Sequence, residues 1–139
     1  MQRILLTRTM GLTDEIQDVL KRVEERLRPD LTRDEFIKCW RNINLQGLNL
    51  SGLDLSNLDL SQMDFTKACL KDVYFASTNL TNAKFKYVDA VGADLRGASF
   101  VDAALMGCGF NGAQMYEACL CNHALAYVDL DEAFVFHYF

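Results

Sequence analysis

The chain has 139 residues, half of them hydrophobic, with 14 basic and 19 acidic side chains and a formal net charge of −5. That is enough to bury one core, and the negative balance excludes nucleic-acid binding through phosphate neutralisation. There is no apolar run of 18 residues to span a membrane, no signal-peptide pattern at the start, and the five cysteines suggest no disulfide frame, so a reducing cytoplasm is the expected setting.

Residues 1–42 read as helical. In "TDEIQDVLKRVEERLRPD", Thr13 to Asp30, Ile16, Val19, Leu20, Val23 and Leu27 share one helix face. Thr13 can cap the start, Asp14 and Glu15 favour the dipole there, and Pro29 stops the helix. In "LTRDEFIKCW", Thr32 and Glu35 form a capping box ahead of Phe36, Ile37 and Trp40. The expectation is an α-helical cap over the open end of the segment that begins at residue 43.

From there a different rule takes over. Leu45 and every fifth residue to Leu130 give 18 centres, 16 of them Leu or Phe, where chance would place about four. A second row two residues earlier, from Ile43 to Val128, is apolar except at Thr78 and His123. A five-residue period fits neither helix nor straight strand, since both would scatter the centres. All centres stay inside only if the chain turns a corner every five residues. Gly47, Gly52, Asn57, Asn82, Gly92, Gly97, Gly107, Gly112 and Asn122, two residues after a centre, suit such corners. The spacing therefore predicts a coil of very short strands wound around its own apolar filling.

"GADLRGASF", Gly92 to Phe100, and "STNLTNAKF", Ser77 to Phe85, resemble the pentapeptide-repeat family. The resemblance implies an all-β solenoid, a right-handed four-sided β-helix. Its 18 units would make about 4.5 coils, rising about 4.8 Å per coil. The expected organisation is a helical cap over 1–42, the β-helix over 43–132, and an aromatic tail over 133–139.

Catalytic constellations are missing. Only two histidines occur, with no phosphate-binding glycine loop, and no cofactor is called for. In "CLCNH", Cys119 and Cys121 point outward while His123 falls on an inward row, so the three diverge and no metal site is expected. Asp54, Asp59, Asp64, Asp89 and Asp94, each just before a centre, read as corner residues whose side chains bond nearby backbone. No direct nucleic-acid or membrane partner is expected.

Function is expected on the outward positions. Residues 43–139 hold 11 acids and five bases, a net of −6, against +1 for residues 1–42. The acidity resembles that of the quinolone-resistance pentapeptide proteins, which mimic DNA and occupy type II topoisomerases such as DNA gyrase. Here Lys67, Lys71, Lys84 and Lys86 interrupt the negative surface. The favoured reading is therefore a non-enzymatic module presenting a rigid surface to a protein partner. The DNA mimic is the alternative. Candidate surface residues are Asp72, Asp102 and Glu117 for charge, and Tyr74, Tyr87 and Tyr116 for aromatic contact. The tail aromatics Phe134, Phe136, Tyr138 and Phe139 suggest either a plug folded over the last coil or a homodimer contact.

Overall fold

The computed structural model describes Arg41, residues 44–120 and residues 127–135. Apart from Arg41, the expected helical cap lies outside them, as do Cys121, His123, Phe136, Tyr138 and Phe139.

The period of five is itself nested in a period of twenty. Parallel bridges join residues twenty apart in four ladders. One runs Asn49, Cys69, Asp89, Gly109, Asp129, and the next Asp54, Tyr74, Asp94, Gln114, Phe134. The third runs Asp59, Asn79, Ser99, Cys119, and the fourth Asp64, Lys84, Ala104. Four units thus close one turn, and each unit rests on the one four units below. The second ladder carries the coil to Phe134, beyond the boundary expected at Glu132.

The unit is stable because it leaves few backbone donors without a role. In the first described turn, the Leu50 amide donates upward to the Cys69 carbonyl (2.8 Å), and Cys69 returns a bond to Leu48 (2.9 Å). The Gly52 amide donates upward to Lys71 (2.9 Å), and the Leu53 amide closes the corner on the Leu50 carbonyl (3.3 Å). The remaining amide, Ser51, donates to Oδ1 of Asn49 (3.1 Å). Asp54, Asp59, Asp64, Asn79, Asp89, Asp94 and Asp129 each accept from the amide two residues on in the same way. The Asp/Asn row is therefore part of the corner, as its position in the sequence suggested.

Each described corner places the residue two after its centre at positive φ, as the third residue of a type II turn requires. Six of these are glycines with φ between 64° and 74°. Eleven are not, among them Gln62, Lys67, Asp72, Tyr87, Asp102, Glu117 and Tyr127. An L-residue there costs roughly 1–2 kcal/mol. The corner amide bonds to the next coil and the apolar filling offset that cost.

The filling is a column of fully buried phenylalanines. Phe65, Phe75, Phe85, Phe100 and Phe110 meet in successive ring contacts with centroids 5.2–6.1 Å apart. The second inward row supplies small side chains beside them, including Ala68, Ala83, Ala93, Ala98, Ala103, Ala113 and Ala118. Thr78, which breaks the apolar rule, is buried with its hydroxyl donating to the Leu55 carbonyl at 2.8 Å. Cys108 repeats that geometry toward the Phe85 carbonyl. Burial pushes its thiol up to about 12, so it packs as a small neutral group.

Candidate functional site

With two side chains of every five turned inward, chemistry is confined to the ladder residue and the two corner residues of each unit. Much of the ladder is committed to holding corners. Asp94 also takes both Arg96 nitrogens, Nε at 2.8 Å and Nη2 at 2.7 Å. The Arg96 hydrogen bond, helped by its charge and opposed by burial, holds the carboxyl below its usual range. At Asp59 the Ser61 side chain and amide do the same, with Arg41 adding its charge. Burial alone would raise Asp64. Hydrogen bonds from Thr66 and Gln46 and the Lys84 charge outweigh it, and the net shift is downward.

Ion pairs thread the ladders as well. Lys71 meets Asp89 at 3.3 Å, Lys84 meets Asp64 at 3.5 Å, and Arg41 meets Asp59 at 3.9 Å. At this exposure such pairs add little stability, but they cancel part of the negative field. These lysines partner the ladder aspartates besides interrupting the acidic surface.

The structure divides the residues that the sequence grouped as one surface. Asp72 lies on the corner after the Asn49 ladder, Glu117 on the corner after the Asp54 ladder, and Asp102 on the corner after the Asp59 ladder. Three corners of a four-sided rod cannot form one patch, so the acidic trio is not a single stripe. The tyrosines divide too. Tyr74 is on the Asp54 ladder and Tyr116 on the corner beside it, whereas Tyr87 is on the corner after the Asp64 ladder.

One pairing does form. Phe134, in register above Gln114, stacks on Tyr116 with ring centroids 6.3 Å apart and planes 19° from parallel. Phe134 therefore belongs to the coil wall, with its outer surface still half exposed. Tyr127 and Val91, which the five-residue register already places outward, also project from corners as exposed residues beside the candidate surface. Among the described residues no three His, Cys, Asp or Glu are grouped to hold a metal ion.

Comparison with known proteins places this geometry. The model of the pentapeptide repeats family matches residues 43–82, 74–112 and 91–122. An Arabidopsis thaliana protein named FH protein interacting protein FIP2 is 51% identical over 86 residues, covering 60% of this chain and 28% of that protein. The crystal structure of Rfr23, a pentapeptide repeat protein of the cyanobacterium Cyanothece 51142, shares 26% identity at a TM-score of 0.52, over 63% of this chain and 56% of that one. QnrB1, a plasmid-mediated fluoroquinolone resistance protein, is 19% identical over 58% of this chain and 47% of its own, at a TM-score of 0.44. The chain thus spans about a quarter of the Arabidopsis relative and just over half of Rfr23. The likeness to Rfr23 gives the coil its hand, a right-handed quadrilateral β-helix. With the family model covering more than half its length, the chain belongs to the pentapeptide repeat family.

Proposed function

We propose that this β-helix is a non-enzymatic interaction module that holds side chains at fixed positions for a protein partner. The observation that carries the reading is the exposure of aromatic side chains on a hydrogen-bonded frame. Tyr74 is 38% exposed, Phe134 53%, Tyr87 55% and Tyr127 88%. None of these positions is needed to fill the core, and exposed aromatic surface held by a rigid wall is characteristic of protein interfaces. Membership of the family supports the reading, because its members are protein-interaction modules and generally non-catalytic. So does the Arabidopsis relative, which is 51% identical over 86 residues and is named for an interaction with a protein.

The alternative, a DNA mimic acting on a type II topoisomerase, draws on the net charge of −6 over residues 43–139. The division of Asp72, Asp102 and Glu117 among three corners, together with the cations paired to Asp59, Asp64, Asp89 and Asp94, argues against a continuous phosphate-like track.

One experiment decides between them. Immobilised protein should retain a protein from a cell lysate, and Tyr74→Ala or Tyr87→Ala should reduce retention with the coil still folded. The same preparation should leave supercoiling by a bacterial DNA gyrase unaffected at concentrations well above those of the enzyme. Inhibition that disappears in Asp72→Asn/Asp102→Asn/Glu117→Gln would overturn the module in favour of the mimic.

A further inference from the structure

Sorting the outward residues by the period of twenty exposes an asymmetry that the sequence order conceals. On one side lie the Asp64 ladder and the corner after it, comprising residues 46–47, 66–67, 86–87, 106–107 and Tyr127. This side holds Lys67, Lys84 and Lys86 against a single acid, Asp64. The remaining three sides of residues 43–139 share ten acids and two bases. A rod of net charge −6 therefore carries one side of +2, with the other three together at −8.

The acid on that side is already engaged. Asp64 takes the Lys84 ammonium at 3.5 Å, the Gln46 side-chain amide at 3.0 Å and the Thr66 backbone amide at 3.0 Å. Lys67, Lys84 and Lys86 are all exposed.

Aromatic surface accompanies the cations. Tyr87 and Tyr127 occupy the same corner column, two coils apart, with Gly107 between them. The Tyr87 ring lies over Gly107, where a Cβ would stand 2.5 Å from Cδ1. Both tyrosines and Lys67 take φ between 57° and 61° at a position where glycine or asparagine would relieve strain. Up the same side the ladder abandons the corner-holding Asp/Asn, becoming Lys84 and then Ala104. Coil stability therefore does not dictate these residues, although the same positive φ is held by non-glycine residues on the other three corners as well.

We infer that this side is the docking surface for an acidic segment of a protein partner. Its carboxylates would meet Lys67 and Lys86, and its apolar side chains would lie over Tyr87 and the half-buried Met106. Charge complementarity selects the occupant. Three cations on a rod that is otherwise strongly negative are too few to hold a polyanionic nucleic acid against the repulsion of the other sides. The inference rests on the interaction-module reading and adds the side used and the chemistry of the partner.

The probe is a fluorescein-labelled copolymer of glutamate and tyrosine, followed by anisotropy with the full chain at about physiological salt. Lys86→Glu should weaken binding about fivefold or more. Lys71→Glu, the same charge change on another side, should change it less than about twofold. Tyr87→Ser should weaken it without altering the salt dependence, and thermal midpoints should confirm that all three variants fold. Equal losses for Lys86→Glu and Lys71→Glu would show a net-charge effect and overturn the assignment. Absence of copolymer binding would overturn it too, as would a single-stranded oligonucleotide bound as tightly as the copolymer. If Lys67→Glu/Lys86→Glu leaves retention of a lysate protein untouched while Tyr74→Ala abolishes it, this side is excluded and the broader module reading stands.

Discussion

Phe85 touches Phe65, Phe75 and Phe100 and has no solvent exposure, while Lys86, one residue later, is exposed. Phe85→Ala should therefore cost about 3–5 kcal/mol, and Phe85→Asp, which buries an unpaired charge, should prevent folding. Lys86→Asp should leave stability within about 0.5 kcal/mol. Thermal or urea unfolding of the three variants tests the register directly. The corners allow a finer test. Gly47 and Gly107 have nearly the same φ, 71° and 73°, but a Cβ at Gly47 meets open space and one at Gly107 meets the Tyr87 ring. Gly47→Ala should lose about 1 kcal/mol from backbone strain alone. Gly107→Ala should lose more, and a Tyr87→Ser background should remove the excess. A double-mutant cycle measures that coupling.

At the scale of the five-residue unit, much is legible in the sequence. The inward rows, the corner offset and the role of the Asp/Asn row all come from one rule, that alternate residues point inward until a turn intervenes. Thr78 looks like an exception and is accommodated by a single hydroxyl bond to Leu55. Two things are not legible. The corner conformation persists at Gln62, Tyr87 and Glu117, where composition gives no hint of positive φ, because the stacked coils impose it. A repeat of five also reveals that corners exist without saying how many close a turn. The resemblance supplied the number four, but the candidate acids were still grouped by type, and only the ladders show that they diverge. The unit also predicts a pH response. Asp59, Asp64 and Asp94 are held below the usual carboxylate value in the folded chain. Their contribution is present above the unfolded value of about 3.9 and is lost as pH falls through the lower folded values. Thermal midpoints should therefore stay level down to about pH 5 and fall below about pH 4. Asp94→Asn, which removes the charge facing Arg96, should flatten part of that fall.

For the whole molecule, the ends matter most, because a solenoid stabilises each coil only through its neighbours. Among the described residues no coil lies beneath the first one, and Arg41 donates to two of its carbonyls, Ser61 at 2.9 Å and Asp59 at 3.2 Å. At the opposite end Leu120, Val128, Leu130 and Ala133 pack on the core only partly buried, and Val135 is exposed. Self-association through that end is the proposal suggested by the aromatic run Phe134 to Phe139. Deleting Val135 to Phe139 should convert a dimer to a monomer in sedimentation, with the coil still folded. A full-length chain that stays monomeric at high micromolar concentration would remove the dimer. The period of twenty has one more consequence, which concerns how such a surface could change by descent. Duplicating one pentapeptide between Tyr87 and Gly107 would keep every centre inside and the coil-to-coil hydrogen bonds in register. It would also swing everything after it a quarter-turn about the axis, carrying Tyr127 off the Tyr87 corner. Four such duplications would bring it back, one coil higher. In this architecture the smallest genetic step that preserves the fold therefore scrambles the face, and recognition is inherited as a phase.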